Sequence, residues 1–144
     1  MTAVRLGLVQ RPDAPERYAP LMTDTVSAGF PSPAQDYVER ALDLNELIVA
    51  RPAATFFVRA SGDSMIGAGI FSGDLLAVDR SVEPSDGSII IALADGEFLL
   101  KRLAFRRGRV FLDSENPDYP SRDVTGDESF EIWGVVRWVI RDMT

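Results

Sequence analysis

ADGEFLLKRLAF, Ala94 to Phe105, is the stretch on which the reading of this chain turns. It follows a turn cluster, it is rich in residues that favour strands, and it runs for about the length of one long strand. Successive side chains in a strand point to opposite faces. Glu97, Leu99, Lys101 and Leu103 then share one face, and Phe98, Leu100 and Arg102 the other. Lys101 is the only lysine of the chain, beside 14 arginines, and it is placed between two leucines.

Similar segments surround it. TFFVRAS, DLLAVD, SIIIAL, RVFL and SFEIWGVVRWVI are short and β-branched or aromatic, bounded by SGD, PSDG, ADG, ENPDYP and TGDE. Phe56 and Val58 alternate with Phe57 and Arg59 as core residues would, and Arg106, Arg107 and Arg109 read as a solvated hairpin tip. Trp133 and Trp138 are five apart, which places them on opposite faces of a regular last strand, one in the core and one not. Before the strands comes QDYVERALDLNELIVARP, Gln35 to Pro52, which reads as two short helices, the second started by Asp43 and Glu46 in a D-x-x-E pattern. The expected fold is mostly β, with short helices near the N-terminal end of the body.

Residues 1–28 differ from the rest. Pro12, Pro15 and Pro20 interrupt them, and only Val4 to Val9 alternates enough for an edge strand. They read as an extended arm lying on a body of residues 29–144, or else as a disordered tail. SAGFPSP, Ser27 to Pro33, is extended or turned at the junction.

Composition removes several chemistries. The 144 residues contain no histidine and no cysteine, so Ser-His-Asp triads, thiol nucleophiles and His- or Cys-based metal sites are excluded. A catalytic base must be a carboxylate, a lysine or an N-terminal amine. No cofactor or metal is called for. Net charge is −7, and since Arg5, Arg11 and Arg17 balance Asp13, Glu16 and Asp24, the excess falls on residues 29–144. An acidic body is ill suited to gripping a phosphate backbone, so no direct DNA binding is expected. No apolar run is long enough for a transmembrane helix and no signal-peptide core is visible, which makes a cytoplasmic protein the default expectation.

Two residues could carry catalysis. SGDSM, Ser61 to Met65, follows a strand with small residues and a glycine, and can present the Ser64 hydroxyl with backbone N–H groups beside it; an ordinary loop has the same composition. Lys101 is the stronger signal. An unperturbed lysine is neutral in only about 1 molecule in 2,500 at pH 7, and desolvation between Leu99 and Leu103 would lower its pKa toward that of a working base. Arginine cannot do this, because its guanidinium keeps its proton. Genomic codon bias accounts for the arginines but not for the leucine neighbours, and strand lysines also snorkel to solvent.

SGDSM, SGDLLAVD (Ser72–Asp79), DGEFLLKRL (Asp95–Leu103), ENPDYP (Glu115–Pro120) and GVV (Gly134–Val136), in this order, resemble the self-cleaving serine–lysine peptidases that include LexA and UmuD, the S24 peptidases. The spacing of 37 from Ser64 to Lys101 suits that family, as does AGF at Ala28–Phe30. Only 28 residues precede Gly29, too few for a repressor's helix-turn-helix domain, and FPSPAQDYVERALDLNELIVARP looks particularly UmuD-like. The Ala28–Gly29 pair is the one departure, since it is typical of the repressors rather than of UmuD. The resemblance implies Ser64 as nucleophile, Lys101 as general base and Ser64 N–H in the oxyanion hole. It also implies self-cleavage between Ala28 and Gly29, stimulated by a RecA–single-stranded-DNA filament. The shortened homodimer would then join a UmuC-like Y-family polymerase in translesion synthesis. Asp63 reads as a turn-former rather than a third catalytic member, and Asn116 and Tyr119 as turn residues. The competing readings are a non-cleaving interaction module with a vestigial dyad, a signal-peptidase-like protease, and a truncated repressor product.

Overall fold

The structure, a computed structural model, describes residues 18–22, 25 and 38–144. The expected edge strand Val4–Val9 and the Ala28–Gly29 bond lie outside the described residues. Two compact units are present, one within residues 10–50 and one comprising 51–144.

In the first unit, β1 (Ala19–Met22) pairs antiparallel with β2 (Val38–Leu42), with a bulge between Leu21 and Met22. The first of the two expected helices is therefore corrected. Glu39, Arg40, Ala41 and Leu42 are good helix formers, yet a partner strand distant in sequence satisfies the backbone instead. The second helix is present as α1 (Leu44–Ile48), and its start is the one read from the sequence: the Asp43 carboxylate accepts the Asn45 N–H at 2.9 Å.

The second unit is a seven-stranded sheet built from β3 (Thr55–Arg59), β4 (Leu75–Asp79), β5 (Ile89–Ala94), β6 (Glu97–Arg106), β7 (Arg109–Asp113), β8 (Arg122–Asp123) and β9 (Glu131–Ile140). Their order is β3-β4-β9-β5-β6-β7-β8, and every pairing is antiparallel. Two-residue turns join β5 to β6 and β6 to β7. In the second, Arg107 and Gly108 both have positive φ (53° and 74°), the conformation that matches the twist of a tight hairpin.

Alternation along the strands sorts the core onto two faces. Ile91 and Leu100 belong to one cluster with Val58, Leu76, Val78, Met65 and Ile70; Ile90, Leu99 and Leu103 belong to the other with Leu112 and Val124. Each fully buried leucine or isoleucine is worth about 1.5–3 kcal/mol. A one-residue slip of β6 would invert all of them, so the register, and with it the face that Lys101 occupies, is held firmly.

The two tryptophans meet the expectation of opposite faces, Trp133 packing against the core and Trp138 belonging to neither core cluster. Neither is exposed, and Trp133 packs edge-on against Phe98 at 4.9 Å beneath the Arg80 guanidinium. Register shifts in β9 leave Trp133 and Arg137 as extra residues, yet the two indoles stay on opposite faces: Trp133 packs with Val136 and Val78, whereas Trp138 pairs with Ala77, the neighbour of Val78 on the other face.

Candidate active site

The loop carrying Ser64 leaves β3 and returns at β4. It is closed at its base by backbone bonds from Ala60 N–H to Asp74 C=O and from Gly73 N–H to Ala60 C=O, both 2.8 Å. Deeper in, the Asp74 carboxylate, only 2% exposed, accepts the Phe71 N–H at 2.8 Å and is paired with Arg141. Gly62 turns with φ 82°, a conformation that would strain any other residue. Met65 then drops into the core with no exposed surface, and Ser64 beside it is equally buried.

The Ser64 hydroxyl has no hydrogen-bond partner among the described residues. Leaving a buried hydroxyl unpaired costs about 1–3 kcal/mol, so such groups mark sites held for something other than stability.

Lys101 is where strand parity puts it, on the face of Leu99 and Leu103 and opposite Ile90 of β5. Leu99 and Leu103 are 9% and 1% exposed. Burial among them holds the Lys101 pKa below the ordinary lysine value, the charged form being the one that loses its hydration. Its Nζ donates to Ser114 Oγ at 2.7 Å and lies 5.3 Å from the Tyr119 ring centre. Lys101 and Ser64 are thus not hydrogen-bonded to each other.

What joins them is one segment, residues 114–119. Lys101 is bound to Ser114; the next residue, Glu115, donates its N–H to Ser64 C=O at 2.9 Å and accepts the Gly67 N–H at 2.8 Å. Asn116 Nδ2 donates to Asp63 C=O at 2.9 Å, and the Tyr119 hydroxyl donates to the Asp63 carboxylate. Asn116 also shapes its own turn, its Oδ1 accepting the Asp118 N–H at 3.0 Å. The nucleophile candidate and the base candidate are therefore fastened to consecutive residues of a single strip.

Matched against known families, residues 20–137 fit the model described as Peptidase S24-like. The chain belongs to the peptidase S24-like family. Among its relatives, Protein SamA of Salmonella typhimurium is 52% identical over 118 residues, covering 82% of this chain and 81% of that one. Protein ImpA of Escherichia coli is 51% identical over 122 residues, 84% and 82% of the two chains. The LexA repressor of Shewanella piezotolerans is 35% identical over 134 residues, 92% of this chain and 64% of the repressor. The family and the β-rich fold expected from the five motifs are both met, and the class of the S24-like chain is that of a peptidase.

Ser114 was missed in the sequence. Nothing in its neighbours marks it, but the hairpin does: Arg102 pairs with Asp113, so the residue before the one comes to lie beside the residue after the other. The Arg107–Gly108 turn was the signal that could have found it. Two of the three arginines of that tip are paired with carboxylates, Arg106 with Asp113 and Arg109 with Asp123. No helix among the described residues is long and apolar enough to cross a membrane.

Proposed function

We propose that this S24-like chain is a UmuD-like protein of the SOS response that cuts its own Ala28–Gly29 bond. Ser64 is the nucleophile and Lys101 the general base. The observation that carries the reading is that an orphaned, fully buried Ser64 and a desolvated lysine are fastened to consecutive residues, Glu115 and Ser114, of one strip of chain.

In the reaction, Lys101 Nζ takes the Ser64 hydroxyl proton as Oγ adds to the Ala28 carbonyl carbon. The backbone N–H of Ser64 faces the oxyanion that forms. The bond to the Gly29 nitrogen breaks, Lys101 returns the proton to that leaving amine, and Ser64 holds Ala28 as an ester. Water, deprotonated in turn by Lys101, releases the acid and restores the hydroxyl. Small side chains at Ala28 and Gly29 let the segment come close to a buried nucleophile, and tethering raises its effective concentration without a deep pocket. Cleavage requires Lys101 to reach Ser64, and a RecA–single-stranded-DNA filament favours that arrangement. The shortened chain forms a homodimer and works in the cytoplasm with a UmuC-like Y-family polymerase, the acidic body leaving DNA contact to its partners.

The test is incubation of the full chain with an activated RecA filament, read by intact mass. Release of residues 1–28 by the wild type, and not by Ser64→Ala or Lys101→Ala, is the expected result. The non-cleaving interaction module draws support from the missing Ser64–Lys101 hydrogen bond, and is the outcome if the wild type stays whole while still binding the filament.

A further inference from the structure

Of the hydroxyl and carboxyl groups carried by residues 113–119, only that of Ser114 bonds the Lys101 ammonium. Ser114 Oγ is 2.7 Å from Nζ. The Tyr119 hydroxyl is committed to Asp63, Glu115 is paired with Arg102 at 2.6 Å, and Asp113 is paired with Arg106 at 2.6 Å. Among the described residues, then, no carboxylate is paired with Lys101, and its one short polar contact is a neutral hydroxyl.

We infer that Ser114 is a positioning residue for Lys101, a second serine that holds Nζ in place while the lysine acts on Ser64. This rests on the self-cleavage reading and deepens it. The geometry supplies the reasons. A lysine side chain has four rotatable bonds and a terminal group that turns freely, so the packing of Leu99 and Leu103 can fix its stem but not the direction of its lone pair. When one N–H is held by Ser114 Oγ, the remaining positions are confined to a cone about that bond, and in the neutral amine one of them is the lone pair that must meet the Ser64 proton. Ser114 is well placed to be rigid itself. It follows β7 directly, and its neighbour Glu115 is bound through its N–H to Ser64 and through its C=O to Gly67, so a shift of Ser114 would also shift the nucleophile loop. A neutral acceptor suits the task, since a carboxylate at the same place would hold the proton on the lysine.

The same bond sets the sign of a test that a purely structural role would not pass. Ser114 accepts from the charged form and so favours it. Removing the hydroxyl should let Lys101 lose its proton more easily, by roughly 0.5–1 pH unit for one hydrogen bond to a partly buried charge. The experiment is the pH–rate profile of self-cleavage in the full-length chain for the wild type, Ser114→Ala, Ser114→Thr and Lys101→Ala. Ser114→Ala should lower the plateau rate about tenfold or more and move the midpoint to lower pH. Ser114→Thr, which keeps the hydroxyl, should restore most of both, and the melting temperature of each should stay close to that of the wild type. A Ser114→Ala profile that keeps its midpoint, or a Thr variant no better than Ala, overturns the inference while Lys101→Ala still abolishes cleavage. Cleavage that persists in Lys101→Ala overturns the dyad itself, and the role of Ser114 with it.

Discussion

Gly67→Ala should damage this protein more than any conformational preference of glycine would suggest. Gly67 does not need a left-handed backbone. Its constraint is proximity: a Cβ there would sit 2.6 Å from the Glu115 carbonyl oxygen and 3.3 Å from its carbon, where ordinary contact begins at 3.4 Å. The obstructing atom is backbone, and it is the same oxygen that accepts the Gly67 N–H at 2.8 Å. Relief therefore needs a displacement approaching 1 Å that also stretches the hydrogen bond. Overpacking of this kind costs about 1–3 kcal/mol and a weakened hydrogen bond about 0.5–1.5, which together give roughly 2–4 kcal/mol. In a chain of this size that lowers the melting temperature by roughly 5–15 °C. The useful control is Gly69→Ala. Gly69 has φ 80° with open space around its missing Cβ, so only backbone strain is added, about 1 kcal/mol. Urea unfolding of both variants separates the two mechanisms. Self-cleavage should fall about a hundredfold in Gly67→Ala even at temperatures where it is folded, because the strip that ties Ser64 to Lys101 has been pushed apart. A Gly67→Ala protein within 1 kcal/mol of wild type, or no less stable than Gly69→Ala, would refute the close approach of the two loops.

Two further expectations concern charge. Arg141→Ala leaves the buried Asp74 carboxylate with the Phe71 N–H alone, and should cost about 2–4 kcal/mol at pH 7, the arginine's partial exposure placing it below fully buried pairs. Arg141 holds the Asp74 pKa below the usual carboxylate value, so this contribution is complete above about pH 4 and fades as pH falls through the lowered value; the difference between wild type and variant in urea should shrink in acid. Lys101→Met should be inactive yet at least as stable as wild type at pH 7, since it removes a desolvated ammonium. The folded state releases the Lys101 proton at a lower pH than the unfolded chain does, so wild-type stability should rise with pH from the lowered value up to about 10.4, closing the gap.

Much of the body was legible because its strands are local and its cores alternate. Lys101 could be assigned to the Leu99–Leu103 face from parity alone, and the observed register agrees. Asp43 was readable as a helix start because capping is a matter of two or three adjacent residues. The failures are all cases where a distant partner decides. Val38–Leu42 has helix-forming composition but pairs with Ala19–Met22, and no periodicity within either segment announces that choice. In β9 the bulges at Trp133 and Arg137 depend on neighbours β5 and β4, not on its own sequence. Within the site, Ser64 and Lys101 stood out by residue type, whereas Ser114 and Asn116 became visible only when the β6–β7 hairpin and the loop after β7 were in place.

The most direct measurement of the central claim is the rate of Ala28–Gly29 cleavage in the purified full-length chain from pH 6 to about 10.5, followed by intact mass spectrometry beside Ser64→Ala and Lys101→Ala. The account predicts a single product pair and a rate that rises to a plateau with a midpoint below the ordinary lysine value of about 10.4, as the desolvation of Lys101 requires, with no product from either variant. A wild type that stays intact at every pH and with an activated filament present, or cleavage that survives the loss of either side chain, would contradict it.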